Sequence, residues 1–385
     1  MFISRNSEKK SKLFKMENPL EASVYQTRNV EKTFPMRGEF FRDQTAIIHS
    51  MAFRRLKKKT QVFFAPENDH VCTRIEHLLH VATIGATICK GLNREGWNLN
   101  PDLAYAIGLG HDLGHAPFGH SGENALNRKL KDKFEFMHEI NSFRVVEHLA
   151  NNGAGLNLTY GVKDGIINHN GESFEQYLEP VPVVHNLNAI KNRKHIASSY
   201  EGCIVRFSDK IAYLGRDIED ALVADFITLN DIPVEIREDI GTTNGEIIDL
   251  LIKDMVCHSK HQTKIGFSDE IYEKLNILKK FNYQRIYNHP TIQHYSEMCE
   301  KILENLFDHL ILLFGNFGYD FEKYAQEPIL LEQRFGRFLE GLQNFYLQEK
   351  TSPEQIICDY ISGMTDSFAL EAIKQITIPR AILFK

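Results

Sequence analysis

The sequence has few cysteines, and none of them are paired as in disulfide frameworks or zinc knuckles. Its 385 residues include 6 cysteines, which lie far apart and form no Cys-x-x-Cys pair. This spacing argues against both kinds of site and is typical of thiols that stay reduced in a cytoplasm. We therefore expect a cytoplasmic protein.

Glycine, proline and long apolar runs are also scarce. The 24 glycines and 12 prolines are too few and too scattered for a collagen-like or linker-rich chain. No run approaches the ~20 apolar residues that a membrane span needs, and the N-terminal residues lack the apolar core of a signal peptide. With 43% apolar and 25% charged residues, the chain has the composition of a globular protein without a membrane segment.

Positive charge is not in excess either. The net charge is −6 at pH 7, which excludes a protein that binds nucleic acid over its whole surface. One local basic cluster remains, formed by Arg54, Arg55 and the three lysines 57–59. Five cations in six positions cannot share one helical face, so we expect Arg55 and the lysines to form a solvated outer face.

What the sequence does contain is helical periodicity, nearly throughout from residue 40 onward. We predict an all-α fold, with one helix over 43–58, a long helix capped by Asn68 or Asp69, and one that begins at Pro101. Strand signals are confined to 181–184, which is either an edge strand or an extended loop. Further helices are predicted at about 121–131, 138–150, 158–168, 200–223, 269–280 and 295–314.

The same pattern divides the chain into three parts. Residues 1–35 are polar and weakly periodic, and we interpret them as an N-terminal arm that folds only by docking. Residues 36–225 form the main helical core, and 226–385 form an additional C-terminal helical region.

The residues capable of chemistry are concentrated in the segment 111–123, HDLGHAPFGHSGE. Its histidines and carboxylates, with His77 and Asp209 from other predicted helices, make a mixed nitrogen and oxygen set for a divalent cation. Helical bundles build metal sites in this way, from side chains on facing helices. Taken alone, His77 would be interpreted as a structural histidine, on the surface or buried, and Asp209 as a helix-surface charge.

The order His, His-Asp, Asp resembles the HD-domain metal-dependent phosphohydrolases, and 111–123 is similar to the form found in deoxyguanosine triphosphate triphosphohydrolases. The resemblance implies an HD-domain bundle over 36–225 and one divalent cation, foremost Mn²⁺ or Mg²⁺, with Fe²⁺, Ni²⁺ and Zn²⁺ as other candidates. Segments 52–63, 208–221, 287–290 and 359–369 also resemble this family, so the likeness spans roughly 40–375. The ligands that it implies are His77, His111, Asp112 and Asp209.

The resemblance further implies that His120 transfers a proton and that Glu123 is its partner. Cleavage at the α-phosphorus of a nucleoside triphosphate leaves a 5′-oxygen that needs a proton. Histidine can both give and take one near neutral pH. The alternative for Glu123 is a first-turn residue that stabilises the helix dipole.

Five residues are implied, or favoured by their chemistry, as substrate contacts. Arg54 is the candidate for a phosphate, because a guanidinium grips phosphate oxygens with two hydrogen bonds. Gln61 and Tyr213 resemble residues beside the sugar, and Asp217 resembles a nearby acidic residue. His115 either reaches a phosphate or braces the loop.

Some positions depart from the family pattern. Glu139 replaces an asparagine after His138, so the role of His138 stays open, and His169 is interpreted as a helix-end histidine. Glu76 beside His77 and Lys210 beside Asp209 also differ from the usual residues, which leaves the nucleobase preference open.

The leading hypothesis is metal-dependent hydrolysis of deoxynucleoside triphosphates to deoxynucleoside and triphosphate. The alternatives are an HD phosphohydrolase that acts on nucleoside monophosphates or cyclic nucleotides, and a nucleotide sensor without catalysis. The resemblance also implies a homo-oligomer, such as a hexamer, built through the C-terminal helices. Regulation by a deoxynucleoside triphosphate or by single-stranded DNA would fit the same family.

Overall fold

A computed structural model describes residues 16–33, 36–61, 72–131, 133–170 and 174–379. These residues form seventeen α-helices and one two-stranded sheet, which confirms the all-α prediction. The helices of the first part are α1 (Ala22–Tyr25), α2 (Glu39–Ile48), α3 (Met51–Arg55), α4 (Arg74–Arg94), α5 (Pro101–Gly110), α6 (His120–Lys129), α7 (His138–Arg144), α8 (Tyr160–Ile167) and α9 (Tyr200–Val223). Short 3₁₀ turns lie at Leu56–Lys58, Leu187–Ala189 and Leu229–Asp231, and one π-helical turn at Val145–Leu149.

The later helices are α10 (Val234–Asp239), α11 (Asn244–Ser259), α12 (Asp269–Asn282), α13 (Pro290–Phe317), α14 (Phe321–Gln326), α15 (Leu330–Glu349), α16 (Pro353–Ser362) and α17 (Asp366–Thr377). A second π-helical turn, Tyr283–Tyr287, follows α12. Strands β1 (Tyr177–Leu178) and β2 (Ile265–Gly266) pair antiparallel, with Tyr177 opposite Gly266.

The long helix α4 begins where its sequence supplies a capping box. Thr73 is the N-cap, and Glu76 accepts a hydrogen bond from the Thr73 backbone N–H at 2.7 Å. The expected caps Asn68 and Asp69 lie outside the described residues. In α5, Pro101 is the first helical residue, as predicted, and the Asn100 side chain caps the helix.

Two local predictions need correction. The single helix over 43–58 is wrong, because the Ser50 side chain accepts a hydrogen bond from the Phe53 N–H at 3.1 Å and starts α3 afresh. Of the two alternatives for 181–184, the edge strand is wrong, since the segment is a loop and the strand lies before it at Tyr177–Leu178.

The apolar residues form two hydrophobic cores. The first is built around α4, α5, α8 and α9, and α11 and α12 also contribute to it. In this core α4 and α5 approach so closely that a Cβ at Gly108 would lie 2.6 Å from the Ala82 Cα, so only glycine fits there. The second core joins α6 to α13 and α15–α17. The candidate site lies where the two cores meet. The division of the chain into two regions at residue 225 stays a prediction.

The part of the arm that the structure describes packs on the first core. The Asn18 side chain donates to Glu201 Oε2 at 2.7 Å, and the Tyr25 hydroxyl donates to the Ser198 carbonyl at 2.7 Å. Among the described helices, none has both the length and the apolar character required to traverse a bilayer.

Candidate metal centre and active site

The four side chains predicted as metal ligands come from three places in the fold and approach one another in its interior. His77 comes from α4, His111 and Asp112 from the turn that follows α5, and Asp209 from α9. The His77 Nε2 lies 2.9 Å from Asp209 Oδ1, and the His111 Nε2 lies 3.8 Å from both Asp209 Oδ1 and Asp112 Oδ2. Ligand atoms of His77, His111 and Asp209 lie within 4.8 Å of one another, and Asp112 joins this group through His111.

The hydrogen bonding of His111 shows that this set suits a cation. Its Nδ1 lies 2.8 Å from the Gly108 carbonyl, which can only accept, so Nδ1 carries the proton and Nε2 a lone pair. That Nε2 is buried and has no hydrogen-bond partner among the described atoms. Burial lowers the pKa of His111 to about 4, so the imidazole stays neutral, as a metal ligand must.

Asp112 is held as a carboxylate by Arg74, a residue that sequence reasoning missed. Arg74 Nη1 donates to Asp112 Oδ2, and its Nη2 donates to the Thr60 carbonyl at 3.2 Å. Burial alone would raise the pKa of Asp112, but Arg74 and the neighbouring imidazoles hold it well below its ordinary value. The sequence could have indicated Arg74, because it lies three residues before His77 and so shares its helix face.

The predicted proton-transfer pair lies at the start of α6. The His120 Nδ1 is 3.5 Å from Glu123 Oε2, and the His120 side chain is 65% exposed whereas Glu123 is buried. His138 Nδ1 reaches the same Glu123 oxygen at 3.0 Å, and Arg193 Nη2 donates to the other at 2.8 Å. Burial raises the pKa of Glu123, but His138 and His120 outweigh it and keep the pKa well below its ordinary value.

His138 connects the ion site to the proton-transfer pair. Its Nε2 lies 3.8 Å from Asp112 Oδ1, and its ring stacks on that of His115 with centroids 4.5 Å apart. Burial lowers the pKa of His138, but Glu139 and Glu123 outweigh it and raise the pKa to about 10. His138 is therefore a buried imidazole whose charged form the surrounding carboxylates favour, a role that the sequence left open.

His115 lies inside this cluster. It is buried, its Nδ1 has no hydrogen-bond partner among the described atoms, and the His120 ring is 5.2 Å away between centroids. The side chain thus faces the space in front of His120, while its backbone carbonyl takes part in a separate contact described below.

The predicted substrate residues are not all brought together. Arg54 is exposed on α3 with its Nη1 4.0 Å from Met51 Sδ, and no hydrogen bond or ion pair among the described residues links it to the histidine cluster. Gln61 does lie near the cluster, because a Cβ on Gly119 would be 3.3 Å from the Gln61 carbonyl. The Gln61 Oε1 is buried without a hydrogen-bond partner.

Tyr213 and Asp217 follow Asp209 on one face of α9, about one and two helical turns further along. Asp217 is buried and accepts a hydrogen bond from the Tyr287 hydroxyl. From the sequence, Tyr287 was known only as part of segment 287–290, which resembles the family. Burial raises the pKa of Asp217 from 3.8 to about 7. A protonatable carboxyl thus lies beside two tyrosines near the ion site.

This raised pKa predicts a pH-dependent gain of stability in Asp217→Asn. Between pH 3.8 and about 7 the unfolded chain loses the proton that the folded chain keeps, so this carboxyl makes stability fall as pH rises. Asparagine does not ionise, so the variant avoids this fall in stability. We expect its free energy of unfolding to exceed that of the wild type by about 1 to 3 kcal/mol above pH 7. Urea unfolding at pH 4 and pH 8 tests this, and an equal difference at both pH values would contradict it.

Lys59 corrects the prediction of a solvated basic face. It is buried, and its Nζ donates to the His115 and Ser362 carbonyls at 2.6 Å each. Burial lowers the pKa of Lys59 to about 7. The lysine therefore fastens the end of α16 to the loop that precedes His120.

Asp366, the first residue of α17, makes a second connection of this kind. Its Oδ1 accepts from the Phe118 N–H at 2.9 Å and its Oδ2 from the Thr60 N–H at 2.7 Å. Phe118 has φ 61°, a conformation that costs free energy in a residue with a side chain. The C-terminal helices thus hold the turn that aims His120.

Three further residues of the cluster were not assigned from the sequence. His169 and Glu139 are buried beside His138, and Arg193 Nε donates to Glu139 Oε1 at 2.8 Å. Glu139 directly follows His138, and His169 lies at the end of α8, as the sequence indicated, although neither was placed in the cluster. Arg193 lies in an irregular loop whose path no periodicity predicts.

Comparisons with known proteins agree with this geometry. The HD domain family matches residues 74–214, and the phosphohydrolase-associated domain family matches residues 265–375. A deoxyguanosinetriphosphate triphosphohydrolase-like protein of Caldanaerobacter subterraneus subsp. tengcongensis is 37% identical over 369 residues, which cover 95% of this chain and 94% of the relative.

Two more relatives carry the same name. The protein of Desulfatibacillum aliphaticivorans is 37% identical over 353 residues, 91% of this chain and 90% of its own. That of Clostridium perfringens strain 13 is 34% identical and aligns over 100% of both chains. Since the identity extends over nearly the whole chain and the HD domain matches the helices that carry the converging histidines and aspartates, the chain belongs to the HD-domain family of deoxyguanosinetriphosphate triphosphohydrolase-like proteins.

Proposed function

We propose that the protein hydrolyses deoxynucleoside triphosphates at the α-phosphorus, giving a deoxynucleoside and triphosphate. The observation that carries this proposal is the position of His138, one imidazole that contacts both the ion site and the proton-transfer pair. Its two ring nitrogens lie 3.8 Å from Asp112 Oδ1 and 3.0 Å from Glu123 Oε2. A phosphate bound at the ion site would therefore have its leaving group within reach of a proton donor.

A divalent cation bound by His77, His111, Asp112 and Asp209 would neutralise charge on a phosphoryl oxygen and lower the pKa of a nearby water. His120, exposed at the mouth of the cluster, donates a proton to the departing 5′-oxygen as the phosphorus–oxygen bond breaks. The attacking water releases one proton to the solvent in the same turnover, and His120 takes one up from the solvent, which restores the imidazolium. Glu123, whose Oε2 lies 3.5 Å from His120 Nδ1, would orient the ring.

The geometry around Asp217 supports a sugar site. Tyr213 and Asp217 lie beyond Asp209 along α9, and the Tyr287 hydroxyl donates to Asp217. Gln61 adjoins the loop of His120. Hydroxyl, amide and carboxyl groups of this kind can bond a 3′-hydroxyl while their bulk excludes a 2′-hydroxyl. Arg54 remains our candidate for an outer phosphate, which it would have to reach from the exposed side of α3.

The names of the relatives support a deoxynucleoside triphosphate as substrate, since each is called deoxyguanosinetriphosphate triphosphohydrolase-like. Guanine is not part of the proposal. A homo-oligomer, regulation by a deoxynucleotide or by single-stranded DNA, and a cytoplasmic location also stay predictions.

The identity of the product tests the reaction. The purified protein, stripped with a chelator and reloaded with Mn²⁺ or Mg²⁺, is incubated with each dNTP and each NTP, and the products are separated by ion-exchange chromatography. We expect triphosphate and deoxynucleoside from at least one dNTP, and slower turnover of the matching NTP. Release of orthophosphate or pyrophosphate would overturn the assignment, and cleavage of only monophosphates or cyclic nucleotides would favour the alternative HD reaction.

A further inference from the structure

His169 follows directly after α8 and its C-cap, and one of its ring nitrogens is already committed. The Nδ1 lies 2.6 Å from the Ile166 carbonyl, which can only accept, so Nδ1 carries the proton. The Nε2 therefore presents a lone pair. His169 is fully buried, and its Nε2 has no hydrogen-bond partner among the described atoms.

The lone pair of His169 faces other acceptors. Ligand atoms of His111, Asp112 and His169 lie within 4.8 Å of one another, and the rings of His111 and His169 are 4.9 Å apart between centroids. The His111 Nε2 is likewise buried without a hydrogen-bond partner. Two unprotonated imidazole nitrogens cannot bond each other, and a nearby carboxylate makes the space more negative. A buried acceptor without a partner costs about 1 to 3 kcal/mol, so a cation, or a water molecule bound to one, would stabilise this arrangement.

His169 also belongs to a second group on its other side. Ligand atoms of His138, Glu139 and His169 lie within 4.8 Å of one another, and Glu139 Oε2 is a further buried oxygen without a hydrogen-bond partner. The His138 and His169 rings are 5.3 Å apart between centroids. His169 thus stands between the ion site and the charged cluster that contains His138.

We propose that His169 is a fifth protein group of the ion site, whose Nε2 binds the divalent cation directly or through one water molecule on the Asp112 side. The inference rests on the proposed function, because it adds a residue to the same site. The bond to the Ile166 carbonyl involves Nδ1 alone, so the proposal gives a role to Nε2.

The two ring nitrogens can be separated by substitution. His169→Asn keeps an N–H donor near the position of Nδ1, so the bond to Ile166 survives, but it removes Nε2. His169→Gln places an amide oxygen near the position of Nε2. If only the Nδ1 bond mattered, the asparagine variant would behave as the wild type.

The readout is cation affinity, independent of turnover. Chelator-treated protein is titrated with Mn²⁺, and free Mn²⁺ is measured by electron paramagnetic resonance. We expect His169→Asn to weaken Mn²⁺ binding at least about 10-fold, the usual cost of losing a group that supports a metal site. His169→Gln should recover part of the loss, and the exposed His294→Asn should bind as the wild type.

Controls distinguish the two possible failures. If His169→Asn binds Mn²⁺ within twofold of the wild type while His111→Ala loses it, the role of His169 is refuted and the proposed function stands. If His111→Ala also binds normally, the ion site itself fails, and the proposed function with it. Circular dichroism melts verify folding, and His169→Phe, which fills the same volume without a ring nitrogen, replaces the asparagine variant if that variant does not fold.

Discussion

Asp209→Ala is expected to lose the bound cation and, with it, essentially all turnover. The Asp209 carboxylate lies 2.9 Å from His77 Nε2 and 3.8 Å from His111 Nε2, and it is the proposed ligand on α9. Without it the site would keep two imidazoles and Asp112, whose charge Arg74 already offsets. We expect a fall in kcat of at least about 10³-fold, because the cation supplies both charge neutralisation and an activated water.

Elemental analysis after gel filtration in Mn²⁺ measures occupancy, and the product assay measures turnover. Asp249→Ala, which removes an exposed carboxylate of α11, is the matched control and should retain both. Asp209→Asn tests charge alone, since it keeps the shape of the side chain. Full occupancy in Asp209→Ala would show that this carboxylate is not a ligand.

His120→Ala is expected to lower kcat by about 10² to 10⁴-fold while leaving the cation bound. The side chain is largely exposed and belongs to a different group from the proposed ligands, so its loss should not disturb them. What disappears is the proton donor that faces the leaving oxygen. Turnover and Mn²⁺ occupancy are measured on the same preparation.

His49→Ala, an exposed histidine at the end of α2, serves as the control. Glu123→Gln should give a smaller loss than His120→Ala, because it weakens the orientation of the ring without removing it. An unchanged rate in His120→Ala would remove this residue from the mechanism and direct attention to His115, whose ring is 5.2 Å away.

Much of this site follows from local pattern. Helical periodicity predicts the helices that carry His77 and Asp209, and the glycine-rich segment after α5 indicates a tight turn at His111 and Asp112. Their convergence could therefore be predicted once the order of motifs resembled a family, although their roles as ligands stay predictions. Glu123 in the first turn of α6 was predicted in the same way.

The remainder depends on distant chain segments. Lys59 reads as one cation in a basic run, yet it is buried because the Ser362 and His115 carbonyls meet around it. Arg193 reaches Glu123 from a loop 70 residues further along the chain. Neither contact could be predicted from sequence periodicity, since each depends on tertiary packing rather than on the spacing of neighbouring residues.

The membership of α6 in the second hydrophobic core has a consequence for how the protein can be divided. Leu126 and Leu130, on the helix of His120, are buried in that core with Leu303 and Leu306 of α13. A chain cut before α13 would expose this apolar face to water and leave the catalytic turn without its C-terminal supports. The amino-terminal fragment is thus expected to be no autonomous enzyme, and limited proteolysis between the halves should inactivate the protein even though every proposed ligand lies in the first.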